Sequence, residues 1–102
     1  MSTGTAAYTS GRRRNLRDLR SVGKSIEANL RLLGIQSVEQ LATCDPVELY
    51  RDLSRRTKTN QDPCVLDTMR CAVAQARDPR LPAAQCDWWW WSRQRKQQKP
   101  LY

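Results

Sequence analysis

The segment SVGKS, residues 21–25, has the clearest potential for chemistry in this sequence. It precedes a stretch with helical periodicity, and the first N–H groups of a helix lack intrahelical partners and lie at the positive end of the helix dipole. Such groups can bind a phosphate. We predict a phosphate contact formed by Ser21, Val22, Gly23, Lys24 and Ser25. The backbone N–H groups of Gly23, Lys24 and Ser25 would donate, and the side chains of Lys24 and Ser25 would add contacts.

Gly23 is the residue of this segment that we expect to matter most. It has no side chain to keep a phosphate oxygen away from the backbone, and we expect the turn to need a dihedral angle that costs other residues about 1 kcal/mol or more. A contact of this kind binds the sugar-phosphate backbone and carries no base information. The alternative is that the turn serves only to pack two helices together.

Positive charge collects at the two ends of the 102-residue chain. The sequence has 18 Lys and Arg, 10 Asp and Glu and no His, for a formal net charge of +8. Residues 1–35 carry seven of the basic and two of the acidic side chains, and residues 88–102 carry four basic and no acidic ones. Basic ends around a neutral centre favour an anionic partner, for which nucleic acid is the usual candidate, over charge that only confers solubility. The predicted basic flank of the phosphate contact consists of Arg12, Arg13, Arg14, Arg17, Arg20, Arg93, Arg95 and Lys96.

Four consecutive tryptophans, residues 88–91, stand directly before the C-terminal basic run. On a helix they fan over about 300°, so they cannot all be buried. In one interpretation Trp88 and Trp91 close the core while the other two are half exposed. In the other, the rings stack on unpaired bases or rest on an anionic membrane surface. Of these two ligands we prefer nucleic acid, because the SVGKS segment predicts the same partner.

The sequence offers little for catalysis or for metal binding. It has no histidine and no serine or cysteine beside a base, and most acidic residues are explained as helix caps or surface charges. Asp67 is the exception, and we expect it to pair with Arg70 or to pack beside Cys71. The four cysteines are separated by 20, 7 and 15 residues without a C-x-x-C pair, which favours buried thiols over a zinc site or over regulation through Cys64 and Cys71. We predict a protein that is not an enzyme and has no cofactor.

Helical periodicity and helix-end signals predict an all-α fold of five or six short helices. Asp45 and Asp62 each place an N-cap carboxylate before a proline, and Gly34 stands where a left-handed C-cap is wanted. The helix over 63–77 has the longest apolar face and should be the central packing element. The predicted helices cover about 13–19, 24–33, 37–41, 46–56, 63–77 and a last segment that begins at the tryptophans.

Composition divides the chain into three parts. Residues 1–11 are small and polar and are predicted to be disordered. Residues 12–91 form the predicted domain, and residues 92–102 a basic flexible tail. The chain has no apolar run near the roughly 18 residues that cross a bilayer, and its N-terminal segment lacks the apolar stretch of a signal peptide. We therefore expect a cytoplasmic protein with no membrane partner.

Two resemblances make the prediction more specific. The stretch LRSVGKSIEANLRLLGI, followed by SVEQLA, resembles the helix-hairpin-helix motif of DNA repair and recombination proteins, whose core is two glycines flanking a hydrophobic residue. Together with DPVELYRDL, QDPCVLDTMRCAVAQARDP and WWWW, in that order, it resembles the "pathogenicity locus" family of small bacterial proteins, also called mitomycin resistance proteins. This chain departs from the motif at Ser21, where the first glycine usually stands, at Arg20, where proline is common, and at Glu27, near which a small residue is usual.

The resemblance covers about residues 16–91 and implies a helix-hairpin-helix (SAM-domain-like) bundle. It implies binding to duplex or single-stranded DNA without sequence preference, in repair, recombination or uptake of DNA. It also implies a monovalent cation at the hairpin carbonyl groups in the DNA-bound state. The competing hypothesis is a protein-interaction module whose hairpin is purely structural and whose basic surface docks an acidic protein.

Overall fold

The computed structural model describes residues 14–97, which fold as a succession of short helices. They are a 3-10 helix at Leu16–Asp18, α1 at Lys24–Leu32, α2 at Val38–Ala42, α3 at Pro46–Thr57, α4 at Pro63–Arg77, a second 3-10 helix at Ala83–Cys86, and α5 at Trp88–Gln97. No strand occurs between residues 14 and 97. The predicted all-α class, with five or six short helices, is confirmed. The N-terminal segment that we predicted to be disordered lies outside the described residues.

The helix ends follow the local sequence signals. A carboxylate oxygen of Asp45 accepts a hydrogen bond from the Val47 N–H at 2.9 Å, and Asp62 does the same with the Cys64 N–H at 2.9 Å. The second bond holds the pKa of Asp62 below its usual range, because the N–H favours the ionised carboxylate. Gly34 has φ +86, the left-handed conformation expected for the C-cap of α1. These caps place α1, α3 and α4 close to their predicted bounds.

The predicted helix over residues 13–19 is the exception. Only Leu16–Asp18 is helical, as a single 3-10 turn closed by the Leu19 N–H on the Leu16 carbonyl at 3.1 Å. Leu19 is already extended, so the chain leaves the helix there. Leu16 and Leu19 are nevertheless both buried, as the apolar spacing predicted. The hairpin is therefore a 3-10 turn followed by α1, rather than two α-helices.

Helix α4 is the central packing element, as predicted, and contacts α2, α3 and α5. Its predicted apolar face is buried at Met69, Ala72, Val73 and Ala76. The buried apolar core is dominated by leucine and consists of Leu16, Leu19, Val22, Leu30, Ile35, Val38, Leu41, Leu49, Leu53, Met69, Ala72, Val73 and Ala76. Because the Val22 side chain is buried in this core, it packs the hairpin turn against the rest of the domain.

Helix α5 extends further than predicted and carries a buried ion pair. It continues through residues 92–97, which corrects the boundary at which we expected a flexible tail; residues 98–102 lie outside the described part. The Arg95 guanidinium donates from Nε to Oδ1 of Asp67 at 3.0 Å and from Nη2 to Oδ2 at 3.0 Å. The Asp67 side chain is 0% exposed. Its partner is thus Arg95 on α5 and not Arg70, because Asp67 lies on the α4 face that α5 covers.

The cysteines are free thiols in this structure. Cys71 is fully buried in α4, and burial raises the pKa of its thiol to about 11, so it is protonated at neutral pH. Between residues 14 and 97, no three His, Cys, Asp or Glu side chains lie together as a metal site would require. Over the same range, no helix combines the length and the apolar content needed to cross a bilayer.

Candidate nucleic-acid interface

The N-terminus of α1 lies exposed at the surface of the domain. Gly23 is its N-cap, and Gly23, Lys24 and Ser25 are all exposed. The first hydrogen bond inside the helix is donated by the Glu27 N–H to the Gly23 carbonyl at 2.9 Å. Glycine has no side chain that could accept from the N–H groups at the start of the helix. The first turn therefore presents backbone donors to solvent. This arrangement can hold an anion at the end of the helix.

The left-handed residue of the turn is Ser21 and not Gly23. Ser21 has φ +72, whereas Gly23 has φ −92, and a Cβ placed on Gly23 would meet no atom within 4 Å. Our expectation that Gly23 supplies an unusual dihedral angle is therefore wrong. Gly23 instead leaves the N–H groups at the start of α1 without a side-chain cap. Ser21 takes the left-handed conformation at the position where the helix-hairpin-helix motif usually has its first glycine.

The hydroxyl of Ser21 connects the hairpin to α5. Its Oγ accepts a hydrogen bond from the Trp88 N–H at 3.0 Å and donates to the Cys86 carbonyl at 3.4 Å. Trp88 is the first residue of α5, so this hydroxyl caps that helix from a distant part of the chain. The carboxylate of Asp87, the residue directly before α5, accepts instead from the Arg20 guanidinium at 2.8 Å. Of the five predicted contact residues, Ser21 thus has a structural role, and so does Val22, whose side chain is buried in the core.

Two substitutions at Ser21 separate the contribution of its hydroxyl cap from the cost of its left-handed conformation. We expect Ser21→Ala to lower the free energy of unfolding by about 1 to 2 kcal/mol, because it removes the cap and keeps the left-handed conformation. Ser21→Gly removes the same hydroxyl but relieves the dihedral strain, so its cost should be smaller by about 1 kcal/mol. Urea denaturation measures both variants. Equal costs would contradict the left-handed conformation at this position.

Gln75 of α4 fixes the backbone of the turn. Its side-chain Oε1 accepts from the Arg20 N–H at 2.9 Å, and its Nε2 donates to the Arg20 carbonyl at 2.8 Å. Gln75 is buried, so both bonds lie out of reach of most solvent. The sequence analysis did not identify this residue. The signal that could have found it is a single amide in the mostly apolar C-terminal half of the central helix.

Part of the predicted basic flank is engaged within the domain. Arg14 donates to the carbonyl groups of Gln75 and Ala76, at 2.9 and 3.2 Å, and so satisfies the C-terminal end of α4. Arg17 lies 3.6 Å from the carboxylate of Glu27, which also pairs with Arg31 at 3.1 Å. Glu27 is the acidic residue in the first turn of α1, and these two arginines offset its charge.

The other members of the flank differ in their exposure. Arg20 pairs with Asp87 and Arg95 with the buried Asp67, whereas Arg93 and Lys96 are exposed on α5. Arg12 and Arg13 lie outside the described residues. The structure therefore brings Arg17, Arg20 and Lys24 to the hairpin, and it does not make one continuous flank from all of the predicted residues.

The tryptophans divide into an outward and an inward pair. Trp88 is 38% exposed and Trp89 45%, whereas Trp90 and Trp91 are half-buried. The rings of the inward pair meet edge to face, with centroids 5.0 Å apart, and the Trp91 indole N–H donates to the Gln85 carbonyl at 2.9 Å. Trp90 thus takes the inward place that we predicted for Trp88. Trp88 begins the helix, and its backbone N–H contacts the hairpin through the Ser21 hydroxyl.

Three carbonyl groups of the hairpin, where the resemblance implies a monovalent cation, accept hydrogen bonds within the domain. The carbonyl oxygen of Leu19 accepts from the Val22 N–H at 3.2 Å, that of Arg20 from Gln75, and that of Gly23 from the Glu27 N–H. Each carbonyl oxygen has a second lone pair that a cation could use, so the monovalent cation stays a prediction of the resemblance.

Comparison with known proteins found a matching family and a similar protein. The model of the pathogenicity locus family, Cdd1, matches residues 9–97. The mitomycin resistance protein McrB of Streptomyces lavendulae is 42% identical over 62 residues, a match that covers 61% of this chain and 59% of that relative. The chain thus aligns with about three fifths of the relative's length. No solved structure matches the chain significantly.

Proposed function

The chain belongs to the pathogenicity locus family, and we propose that it binds DNA through backbone phosphates at the N-terminus of α1, independently of base sequence. The observation that carries this proposal is the exposed helix start at Gly23, which has no side-chain cap. A phosphate there would accept hydrogen bonds from first-turn N–H groups and lie at the positive end of the helix dipole.

The surroundings of this helix start support an anionic ligand. The side chains of Lys24 and Ser25 are exposed beside it and supply one ammonium and one hydroxyl donor. Arg17 and Arg20 lie close by, and their side chains are 50% and 55% exposed despite their ion pairs. Exposed ion pairs are weak, so these guanidinium groups remain available to a polyanion. The formal net charge of +8 adds a long-range attraction.

The relative's name suggests the cellular setting. We extend to this chain the mitomycin resistance that the name of the Streptomyces protein records, with DNA binding as its molecular basis. The process would be repair, recombination or uptake of DNA in the cytoplasm. The alternative function, docking of an acidic protein on the same basic surface, makes different predictions for substitutions at Gly23.

The test is a set of three substitutions at Gly23, where a new side chain meets no atom. Gly23→Asp should weaken DNA binding about tenfold, since a carboxylate would occupy the anion position and a hydrogen bond to a charged group contributes about 1.5 to 3 kcal/mol. Gly23→Asn caps the same N–H groups without charge and should weaken binding less, while Gly23→Ala should weaken it least. Fluorescence anisotropy with a labelled random-sequence duplex, at several salt concentrations, measures all three.

The salt dependence gives an independent check. Two to four phosphate contacts predict a slope of log K against log salt of about −2 to −4, with little dependence on sequence. The fold should survive in all three variants, because Asp and Asn are better N-caps than glycine. If Gly23→Asp binds duplex DNA as well as the parent, the hairpin is not the contact. The acidic-protein alternative then becomes the better explanation of the basic surface.

A further inference from the structure

Trp88 and Trp89 form an exposed aromatic pair directly beside the hairpin. The Trp88 N–H donates to the Ser21 hydroxyl at 3.0 Å, and the neighbouring Asp87 carboxylate binds the Arg20 guanidinium at 2.8 Å. These bonds fix the first turn of α5 against the turn that precedes α1. The two tryptophans therefore lie beside the turn that leads to the proposed phosphate contact, although 67 residues separate Ser21 from Trp88 along the chain.

A cation accompanies the outer ring. The Arg93 guanidinium carbon lies 4.7 Å from the centroid of the Trp89 ring, one helical turn further along α5. Arg93 is exposed, so its charge reaches solvent from above the ring. The carboxylate of Asp87, directly before the aromatic pair in the sequence, is paired with Arg20. The patch thus combines two exposed tryptophans with a guanidinium group that lies over the Trp89 ring.

We propose that Trp88 and Trp89 are a stacking platform for unpaired bases, so that this protein prefers single-stranded DNA to duplex. The inference rests on the proposed function and names the form of DNA bound at that site. Every base has a π-face, so stacking is tolerant of sequence and is worth about a 5- to 100-fold change in affinity per base. A duplex keeps its bases stacked on each other and cannot use the platform. Arg93 would contact the phosphate that follows the stacked base.

The chemistry of the patch favours this occupant over a membrane surface. Membrane-binding helices present a continuous apolar face, whereas α5 continues as SRQRKQ after the tryptophans, and its Trp90 and Trp91 are turned inward. Arg95 is tied to Asp67 and does not add to an interfacial face. Two exposed rings with one stacked guanidinium match the size of one or two bases.

The experiment compares a labelled oligothymidine with a duplex of random sequence, using the full chain. The double variant Trp88→Leu/Trp89→Leu keeps apolar side chains but loses the π-faces, whereas Trp88→Phe/Trp89→Phe keeps both. Leu32→Ala is the matched control, since Leu32 is 50% exposed at the far end of α1. We expect the Leu pair to bind oligothymidine about tenfold or more weakly and to lose its preference over duplex. The Phe pair should keep most of the affinity, and the control should equal the parent.

The outcomes distinguish this inference from the proposed function. If the Leu pair and the Phe pair bind oligothymidine as well as the parent, while Gly23→Asp still weakens duplex binding, the platform is refuted and hairpin binding stands. If the parent binds neither form of DNA, the proposed function fails and this inference with it. If Leu and Phe pairs lose affinity equally, the rings matter for packing rather than for stacking, and the platform is again refuted.

Discussion

Replacing Arg95 with alanine is expected to lower the free energy of unfolding by about 3 kcal/mol, because it leaves the Asp67 carboxylate buried without its charge partner. The Asp67 side chain is 0% exposed, and its two oxygens accept three hydrogen bonds from Arg95. The arginine itself is 31% exposed, so it can be removed without opening a large cavity. The cost therefore measures the stranded carboxylate more than lost packing.

Urea denaturation followed by tryptophan fluorescence measures this cost. Lys96→Ala, the next residue on the same helix, is the control, and it should change the free energy of unfolding by less than about 0.5 kcal/mol because Lys96 is exposed. The double variant Asp67→Leu/Arg95→Met should recover much of the loss, since removing both charges removes the stranded group as well. A cost below about 1 kcal/mol for Arg95→Ala would show that solvent or another donor reaches Asp67.

This ion pair illustrates what the sequence alone could and could not provide. Asp67 was conspicuous as an acid without an evident partner, and the local rule for helices pointed to Arg70, three residues on. The true partner is 28 residues away on another helix. Local signals such as the Asp45 and Asp62 caps act within one turn of backbone and were predicted correctly. Which face of α4 is covered by α5 is decided by tertiary packing, which no local pattern encodes.

In the candidate site, too, local features were predicted correctly and features that depend on tertiary packing were not. The segment that starts α1 was located from its glycine and its apolar spacing, and the structure exposes that helix start at Gly23. The assignment of the unusual backbone angle to Gly23 failed, because glycine permits such an angle without requiring it. The left-handed Ser21 is held in place by a contact with α5, which lies at the other end of the chain. The division of the tryptophans likewise depends on where α5 meets its neighbours.

Replacing Gln75 with methionine is expected to lower the free energy of unfolding by about 2 to 3 kcal/mol and to weaken DNA binding as well. Methionine has nearly the same shape as glutamine, so packing is kept while the bonds to the Arg20 N–H and carbonyl are lost. Each backbone group left without a partner costs about 1 to 3 kcal/mol when it is buried, and Arg20 lies at the edge of the domain, which moderates that cost.

The effect of Gln75→Met on DNA binding tests whether the hairpin must be held rigid to bind. A turn that is ordered before binding does not lose further conformational freedom when the phosphate arrives, so loosening it should reduce affinity severalfold at a temperature where the variant is still folded. Gln36→Leu, which changes an exposed glutamine outside the hairpin, is the matched control and should leave affinity unchanged. If Gln75→Met lowers stability but binds DNA like the parent, the exposed N–H groups of α1 suffice without the clamp. If it lowers both, the central helix sets the geometry of the binding turn through one buried amide.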